Sequence, residues 1–406
     1  MSISQQDRDA LIRGNVPSGK ETLSQLSCGQ EPILDFWIDR YLKEYIPAGG
    51  SKIRFVTGRK GSGKTHFLRR LCYSAEELDY FVAQISAKEV WLHDFSELYK
   101  ETICQCDLRK CLEGCSKQII KNMGYDPDEI PEGMTFVDYL SENNDNNALT
   151  KRTIRLELKK MFMDNAMLDN NFALACSLLT GGILGHPVLE ERNRELLLEW
   201  LHGEKTVKMT LLRVLGLSPV PISKFNARYM FRSLSEVIRM SGSKGMLIVI
   251  DDLDTLLNKS GSGTIHYTKL RRDDTYEIIR QMIDDIDSLR NVMIVYGFDR
   301  ALIDNDNYGI KSYQALWMRI QNEIRSEKFN YFSDITDMDH YNRQEITREI
   351  AAGMAVRFNE ALDSLGLPMP VPETEEIEQL LEKAKTSAKG IPALVVDCVL
   401  GVSEDV

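Results

Sequence analysis

The stretch RFVTGRKGSGKTHFLRR, residues 54–70, decides the fold. It contains the pattern G-x-x-x-x-G-K-[ST], from Gly58 to Thr65, in which glycine-rich backbone wraps N–H groups around phosphate oxygens. The β-rich run before it and the helical pattern after it predict a strand, a loop and a helix in that order. Because a helix N-terminus adds unpaired N–H groups and the positive end of a dipole, this context favours a phosphate-binding loop over a glycine-rich turn.

The residues of this loop have expected roles in holding a nucleotide. The Lys64 ammonium is expected to contact the β- and γ-phosphates, and the Thr65 hydroxyl is expected to ligate Mg²⁺. The other candidate cofactor-binding residues are Gly58, Lys60, Gly61, Ser62, Gly63 and His66. The sequence therefore predicts a nucleotide site where the first strand ends.

A second motif, SKGMLIVIDDLDTLL at residues 243–257, places two carboxylates after an unbroken apolar run. Such a run is typical of a central parallel strand that is covered on both faces. If this strand neighbours the strand of the phosphate loop, Asp251 is positioned to hold Mg²⁺ and its waters, and Asp252 to orient or deprotonate an attacking water. The alternative is an acidic turn that only caps the strand.

Two further apolar runs complete the predicted sheet. They occupy residues 79–86 and 292–296, and the connections between the four runs have helical patterns. Four strands with helical connections specify an α/β fold in which a parallel sheet is covered on both faces. Helices are predicted at residues 31–46, 64–78, 94–122, 343–362 and 373–390.

The same patterns divide the chain into five parts. Residues 123–239 are helical in pattern and poor in strand signals, which predicts a helical insertion into the sheet core. The predicted units are an N-terminal segment at 1–30, the phosphate-loop half of the core at 31–122, the insertion at 123–239, the second half of the core at 240–336, and a helical lid at 337–406.

The composition indicates a globular protein. The 406 residues carry a net charge of −11, with 43% hydrophobic and 27% charged residues, which is far from the composition of disordered chains. The polar start of the chain differs from a secretory signal, and no apolar run approaches the length of a membrane span. We therefore expect a cytoplasmic protein whose eight cysteines are reduced.

Four of the cysteines, Cys104, Cys106, Cys111 and Cys115, lie close together in the sequence. Structural zinc sites usually pair their ligands in C-x₂₋₄-C units on loops, whereas this C-x-C-x₄-C-x₃-C series falls in a helical pattern. On one helix, Cys104, Cys111 and Cys115 share a face and Cys106 does not. Buried thiols are therefore favoured over a zinc or iron–sulfur site.

Three stretches are locally basic despite the negative net charge. They are residues 150–160, 269–280 and 318–328, each with apolar residues at helical spacing. Solvated helix faces are one interpretation of these stretches, and contact with DNA phosphates is the other. A DNA contact of this kind is expected to weaken steeply as salt rises.

The order of these motifs resembles that of the AAA+ ATPases, especially the branch near the origin-recognition and initiator ATPases. In that order an insertion separates the phosphate loop from IVIDDLD, an arginine follows the next strand, and a helical lid comes last. A closer resemblance is to the ATP-binding proteins of bacteriophage-exclusion (BREX) systems, which are bacterial defence-associated P-loop proteins. This resemblance covers nearly the whole chain and is carried also by LIRGNVPSG, ELYKE, EWLHGEK, LLRVLGL and GIKSYQALWMRI.

The resemblance implies an AAA+-like P-loop fold that binds ATP and Mg²⁺ and hydrolyses ATP to ADP and phosphate. It also implies that Arg319 is an arginine finger that reaches the γ-phosphate of a neighbouring subunit, with Arg325 as the substitute candidate. A surface helix arginine is the alternative for Arg319. The implied partners are other defence proteins of helicase, nuclease or methyltransferase type, DNA through local basic faces, and further copies of the chain.

Two positions in the core depart from the pattern of these relatives. Asp252 stands where many AAA+ ATPases have glutamate, which moves the base by about one methylene and predicts slow hydrolysis, since small misplacements of a catalytic group are costly. Phe298 stands where related proteins carry a polar sensor residue, which leaves Asp299 or Asn291 as replacements.

A third departure lies in the lid, where GIPALVV lacks the arginine that relatives place after the proline, leaving Lys385 or Lys389 to compensate. These departures support a second hypothesis: a nucleotide-gated scaffold with negligible hydrolysis that recruits or regulates a helicase or nuclease. A small-molecule or nucleoside kinase is a third hypothesis, disfavoured because the carboxylate pair follows so far downstream of the loop.

Overall fold

The computed structural model describes residues 3–258, 265–321 and 327–402. Its centre is a five-stranded sheet made of β1 (Ser51–Gly58), β2 (Tyr80–Ser86), β3 (Gly245–Asp251), β4 (Val292–Asp299) and β5 (Ile335–Asp337). All neighbouring strands run parallel, in the order β2-β3-β4-β1-β5. The predicted α/β fold with a parallel sheet core is therefore confirmed.

The two motif-bearing strands are not neighbours, because β4 lies between β1 and β3, so the condition set for the approach of Asp251 to the loop is not met. The β1–β4 register runs from Ser51 opposite Val292 to Gly58 opposite Asp299, and β3 pairs along the other edge of β4. In a parallel sheet the carboxyl ends of all three strands still meet at one edge. The phosphate loop and the acidic motif therefore face the same side of the molecule.

The fifth strand has no counterpart among the four predicted ones. It has only three residues, Ile335–Asp337, and pairs with β1 at the edge of the sheet. A run this short carries no periodic signal. Its strand geometry comes from the pairing with β1, which the sequence does not reveal.

Helices surround the sheet, and their bounds follow in chain order. Before β1 come α1 (Gln5–Ile12), α2 (Lys20–Leu26) and α3 (Glu31–Trp37), which continues as a π-helix at Ile38–Tyr45; α4 (Lys64–Glu77) joins β1 to β2. Between β2 and β3 are α5 (Phe95–Gln105), α6 (Leu108–Asn122), α7 (Phe136–Glu142), α8 (Ala148–Leu158), α9 (Asn170–Leu184), α10 (Glu191–Leu201), α11 (Met209–Val214) and α12 (Ala227–Met240). The remainder are α13 (Lys269–Asp284), α14 (Ala301–Asp304), α15 (Gln314–Ile320), α16 (Met338–Glu345), α17 (Arg348–Asp363), α18 (Thr374–Lys383) and α19 (Ile391–Leu400). Within the described ranges, none of these helices is long and apolar enough to cross a bilayer.

Two predicted helices are each interrupted in the structure. The helix predicted at 94–122 is α5 and α6, because Cys106 has extended backbone and the Asp107 side chain accepts a hydrogen bond from the N–H of Lys110. The helix predicted at 343–362 is α16 and α17, because the Thr347 side chain caps the second of them. Short polar side chains are favoured at helix starts and disfavoured in helix interiors. Asp107 and Thr347 therefore each begin a new helix within a stretch whose apolar pattern is continuous.

The first of these breaks changes the arrangement of the cysteines. Cys106, Cys111 and Cys115 are buried, and burial raises the pKa of each thiol, whereas Cys104 is exposed. The prediction of buried thiols is therefore confirmed for three residues and wrong for Cys104. The predicted common face of Cys104, Cys111 and Cys115 is also wrong, since these residues lie on two helices.

Three hydrophobic clusters hold the elements together. The first joins one face of the sheet to the helices between β2 and β3, so these helices share a core with the strands. The second covers the other face, where Trp37 and Phe67 pack edge to face with ring centroids 5.1 Å apart. The third joins α1 to the last three helices. The division of the chain into five units stays a prediction.

Candidate nucleotide-binding site

The chain turns sharply between β1 and α4, where the predicted phosphate loop lies. Gly61 and Gly63 have left-handed backbone, with φ of 76° and 89°. A Cβ at Gly61 would lie 2.2 Å from the Cβ of Ala393 in α19, and one at Gly63 would lie 2.2 Å from Nε2 of Gln30. Glycine is therefore required both for the turn and for the close packing of its neighbours. Because α4 begins directly after Gly63, its N-terminus faces the loop.

The Lys64 ammonium lies inside this turn. Its Nζ donates hydrogen bonds to the carbonyls of Gly58 at 2.8 Å and Arg59 at 3.0 Å, and lies 3.9 Å from Oδ2 of Asp299. The Lys64 side chain is only 11% exposed. The loop thus fixes a positive charge where the phosphates of a nucleotide are expected.

The predicted metal ligands, Thr65 and Asp251, lie in contact. Thr65 Oγ1 donates a hydrogen bond to Oδ2 of Asp251 at 2.8 Å. This contact forms although β4 lies between β1, which precedes Thr65, and β3, which ends at Asp251. The contact spans β4 at Gly297, where a Cβ would lie 2.5 Å from Asp251 Oδ1 and 2.6 Å from Cδ1 of Leu68. The glycine in VYGFD therefore provides the space through which the carboxylate reaches α4.

The environment of Asp251 fits a divalent cation. Burial raises the pKa of its carboxyl group, although the N–H of Asp252 and the Thr65 hydroxyl both donate hydrogen bonds to it. A buried carboxylate is stabilised when a cation lies beside it. Hydroxyl and carboxylate oxygens are the ligands that Mg²⁺ prefers, together with waters and phosphate oxygens. Thr65 and Asp251 are therefore the residues that would hold the ion.

The neighbouring carboxylate, Asp252, has a strained backbone and two partners, one at the end of β2 and one in the turn that follows it. Its φ is 61°, which is uncommon for any residue other than glycine. Oδ2 accepts a hydrogen bond from Ser86 Oγ at 2.9 Å, and Oδ1 pairs with Lys88 Nζ at 2.5 Å. Backbone strain of this kind clusters at functional sites. The proposed base is thus held by β2, on the side of β3 away from β4.

Two cavities adjoin the loop. The larger, of about 720 Å³, is lined by Lys64, Thr65 and the two aspartates. The smaller, of about 150 Å³, is a mostly apolar cleft beside Gly61 and Gly63. Its other walls come from the N-terminal segment, α4 and the last helices: Asn15, Val16, Pro17, Leu26, Gln30, His66, Met354, Phe358, Pro392 and Val396. A cavity with charged side chains for phosphates beside a small apolar cleft is an arrangement that suits a nucleotide.

The last helix docks directly onto the loop. The N–H of Gly390 donates to the carbonyl of Lys60 at 3.0 Å, and the N–H of Ala393 donates to that of Gly61 at 3.1 Å. Lys389 lines the larger cavity, with its Nζ 2.7 Å from Oδ2 of Asp397. Lys385 instead pairs with Glu382 on an exposed surface. Of the two lysines proposed to replace the missing lid arginine, Lys389 is the one at the cavity.

The remaining loop candidates occupy different positions. Lys60 lines the larger cavity together with Gly61 and Gly63, whereas the Ser62 side chain is fully buried, with Gly390 packed against its backbone. His66 lines the apolar cleft, and its Nε2 is 2.9 Å from Ser27 Oγ. Burial, with help from Arg70 and Arg69, lowers the pKa of His66 to about 4, so this imidazole is neutral at physiological pH.

The predicted arginine finger lies on the surface, in α15. Arg319 makes a bidentate ion pair with Asp284 of α13, at 2.5 Å from Nε and 2.9 Å from Nη2. Its side chain is 35% exposed, so this face of the molecule presents the guanidinium together with its carboxylate partner. The substitute candidate, Arg325, lies outside the described residues.

The two sensor replacements lie at opposite ends of β4. Phe298 is fully buried, with its ring centroid 6.3 Å from that of Phe55. Asn291 precedes β4 and donates a hydrogen bond to the carbonyl of Ile46 at 2.6 Å, far from the loop. Asp299, at the carboxyl end, is the polar side chain beside Lys64.

Sequence reasoning missed several residues that contribute to the site. Ser86 ends the predicted strand at 79–86 and Lys88 follows it, so their place at the carboxyl edge of the sheet was a usable signal. Gln30 and residues 15–17 gave no such signal, because their approach to the loop depends on how the N-terminal segment packs. That segment is held by Arg69 of α4, whose Nη1 donates to the carbonyls of Val16 and Pro17.

A parallel sheet, a phosphate loop and a carboxylate bonded to the loop threonine define a P-loop nucleotide-binding protein. The family model described as BREX system ATP-binding protein BrxC/D matches residues 3–347, and the chain belongs to this family. The closer of the two resemblances seen in the sequence is therefore confirmed. A search of the curated proteins finds no match.

Proposed function

We propose that the protein is an AAA+-type ATPase that converts ATP and water to ADP and phosphate, with Mg²⁺, as a component of bacterial phage defence. The observation that carries this proposal is the hydrogen bond from Thr65 to Asp251 beside Lys64, because it unites the phosphate-binding and metal-binding residues. Membership of a BREX ATP-binding family supports ATP as the nucleotide and defence as the setting.

The residues of the site have separate roles in this proposal. Lys64 and the N–H groups at the start of α4 hold the β- and γ-phosphates, while Thr65 and Asp251 hold the metal ion. When bound there, Mg²⁺ supplies neutralisation of the charge on the phosphoryl oxygens. Asp252 orients the attacking water and accepts its proton.

The small apolar cleft is proposed to bind the base. Gln30 is buried, and Nε2 points to the carbonyl of Gly63 at 3.4 Å, which leaves Oε1 facing away from that acceptor. Within the described ranges Oε1 has no hydrogen-bond partner. An unpaired acceptor suits the exocyclic amino group of adenine and opposes the carbonyl oxygen that guanine has at the same position. Adenine is therefore the preferred base.

The ion pair between Asp252 and Lys88 supports slow hydrolysis. Lys88 and Ser86 occupy both oxygens of the Asp252 carboxylate, so an attacking water must displace one of them to reach it. The same pair favours the alternative function, a nucleotide-gated scaffold that hydrolyses ATP negligibly and recruits or regulates a helicase or nuclease. The two functions share the binding site and differ in turnover.

Assembly and partners complete the proposal. Arg319 is proposed to leave Asp284 and reach the γ-phosphate of a neighbouring copy, since guanidinium stabilises developing phosphoryl charge. The proposed partners are DNA and defence proteins of helicase, nuclease or methyltransferase type, and the proposed location is the cytoplasm. The proposed units are the five parts of the chain given by the sequence.

Phosphate release from ATP tests the catalytic part of this proposal. Wild-type protein is compared with Lys64→Ala, Asp252→Asn and the matched control Lys385→Ala, whose lysine is 63% exposed and paired with Glu382. We expect both site variants to lose turnover and the control to keep it. Unchanged turnover in both site variants would show that these residues do not act in hydrolysis. Tight ATP binding with background turnover in the wild type, even with DNA present, would select the scaffold.

A further inference from the structure

A second recess lies outside the nucleotide site, between α12, α13 and the start of α5. Its volume is about 590 Å³. We name it the α12 groove. Its α12 wall is defined by Lys224 and Phe225, in the turn before α12, and by Arg228, Tyr229 and Arg232 within the helix. The three locally basic stretches of the sequence do not include this wall.

The α12 wall exposes two large aromatic rings. Phe225 is 83% exposed and Tyr229 is 57% exposed. They are four residues apart in the sequence: Phe225 lies in the turn just before α12 and Tyr229 lies in the first turn of the helix. Exposed aromatic side chains that line a recess mark a binding surface more often than isolated exposed ones do. The two rings therefore offer neighbouring stacking platforms.

Three cations repeat the same four-residue spacing beside these rings. Lys224 Nζ lies 5.3 Å from the Phe225 ring centroid, and the Arg232 guanidinium lies 5.7 Å from that of Tyr229. Nε of Arg232 is buried and makes no hydrogen bond within the part of the chain that the structure describes. A buried donor without an acceptor is costly, and an anionic ligand in the groove removes this cost.

The opposite wall limits where an anion can lie. Its acidic side chains are Asp274, Glu277 and Asp285. Glu277 is bonded to Arg280 at 2.5 Å and 2.6 Å, and Asp285 lies 3.6 Å from Nη1 of Arg228. Repulsion by the remaining carboxylate, Asp274, directs an anionic ligand to the α12 wall.

We infer that the α12 groove binds single-stranded nucleic acid, with phosphates on Lys224 and Arg232 and bases stacked on Phe225 and Tyr229. Cations that follow a backbone, interleaved with exposed rings, are the combination used for single strands, whose unstacked bases present their faces. The cationic row stands out on a chain with a net charge of −11. The inference deepens the DNA part of the proposed function and does not depend on ATP.

Fluorescence anisotropy of labelled oligonucleotides tests the inference. The probes are oligo-dT and oligo-U of about 20 nucleotides and a duplex of the same length, so that DNA, RNA and duplex binding are distinguished. We expect the wild type to bind a single strand more tightly than the duplex. Phe225→Ala and Tyr229→Ala are each expected to weaken single-strand binding by about 5- to 100-fold. Lys224→Gln and Arg232→Gln are each expected to reduce the slope of log K against log salt by about 0.7.

The matched controls lie away from the groove and from the three basic stretches: Val188→Ala, at a valine that is 85% exposed, and Lys385→Gln, at a lysine that is 63% exposed. Both are expected to bind like the wild type. No single-strand binding by the wild type, or association of the groove with a partner protein alone, would overturn the inference. Wild-type DNA binding that the groove variants leave unchanged would overturn the groove assignment while the DNA part of the proposed function stands. Urea unfolding and ATP titration of each variant identify any loss caused by misfolding.

Discussion

Substitution of Gly297 by alanine is predicted to uncouple nucleotide binding from metal binding. The new Cβ would lie 2.5 Å from Asp251 Oδ1 and 2.6 Å from Leu68 Cδ1, whereas ordinary contacts begin at 3.4 Å. The carboxylate must therefore move by roughly 1 Å, which disturbs its hydrogen bond with Thr65. Displacements of metal-site residues of this order weaken metal affinity by about 10- to 100-fold. Overpacking of the core around β4 is expected to lower the free energy of unfolding by about 1–3 kcal/mol.

The assay is calorimetric titration of ATP in excess Mg²⁺ and in EDTA. Gly297→Ala should lose affinity in Mg²⁺ and keep the weaker affinity measured in EDTA, because Lys64 and the loop are left in place. The matched control is Gly353→Ala, where the nearest atom to the new Cβ, Cys28 Sγ, is 3.4 Å away. A folded Gly297→Ala protein with wild-type affinity in Mg²⁺ would refute the assignment of Asp251 as the metal ligand.

Three further predictions concern Lys88 and Gln30, which line the site, and Asp7 in the N-terminal segment. Lys88→Met should raise the rate of ATP turnover with unchanged ATP affinity, because Asp252 loses its ion-pair partner; a lower rate would show that Lys88 positions the base. Gln30→Ala should reduce the preference for ATP over GTP, measured by competition binding, by about 2- to 10-fold, because this is what one hydrogen bond contributes. An unchanged preference would show that Gln30 does not recognise the base. Burial opposes ionisation of Asp7, but hydrogen bonds from the N–H groups of Gly19 and Ser18 outweigh it and lower the pKa of this carboxyl group below 3.8. Stability should therefore fall as pH drops from above 3.8 through the lowered folded-state pKa, and urea unfolding of Asp7→Asn should show a shallower acid loss; an equal loss would place the titration elsewhere.

The sequence predicts those parts of the site that local pattern controls. The loop from Gly58 to Thr65 and the strand that ends at Asp251 both carry strong signals, since one has fixed glycine spacing and the other an unbroken apolar run. Their approach was expected on the condition that the two strands are neighbours, and this condition is not met. In the structure the Thr65–Asp251 contact is made across Gly297 of β4, which requires β4 to lie between β1 and β3. The order of the strands in a sheet cannot be derived from their order in the chain.

The parts that the sequence did not predict depend on tertiary packing. Gln30 and Lys88 are ordinary surface-type residues in the sequence, and only the docking of the N-terminal segment and the pairing of β2 with β3 bring them to the cavities. The α12 groove is a similar case, because its far wall comes from α13, more than thirty residues later in the chain. Helix breaks at Cys106 and Thr347 were missed for the opposite reason: a single capping side chain outweighed a long periodic pattern.

The most direct test of the nucleotide site is the dissociation constant of ATP for the wild type and for Lys64→Ala, measured by calorimetry at the same Mg²⁺ concentration. Hydrogen bonds from a charged donor contribute about 1.5–3 kcal/mol, which corresponds to about 10- to 150-fold in affinity. We predict measurable binding by the wild type and a loss of at least about tenfold in the variant. Equal affinities for the two proteins, or no binding by the wild type, would contradict the assignment of the Gly58–Thr65 loop as the ATP site.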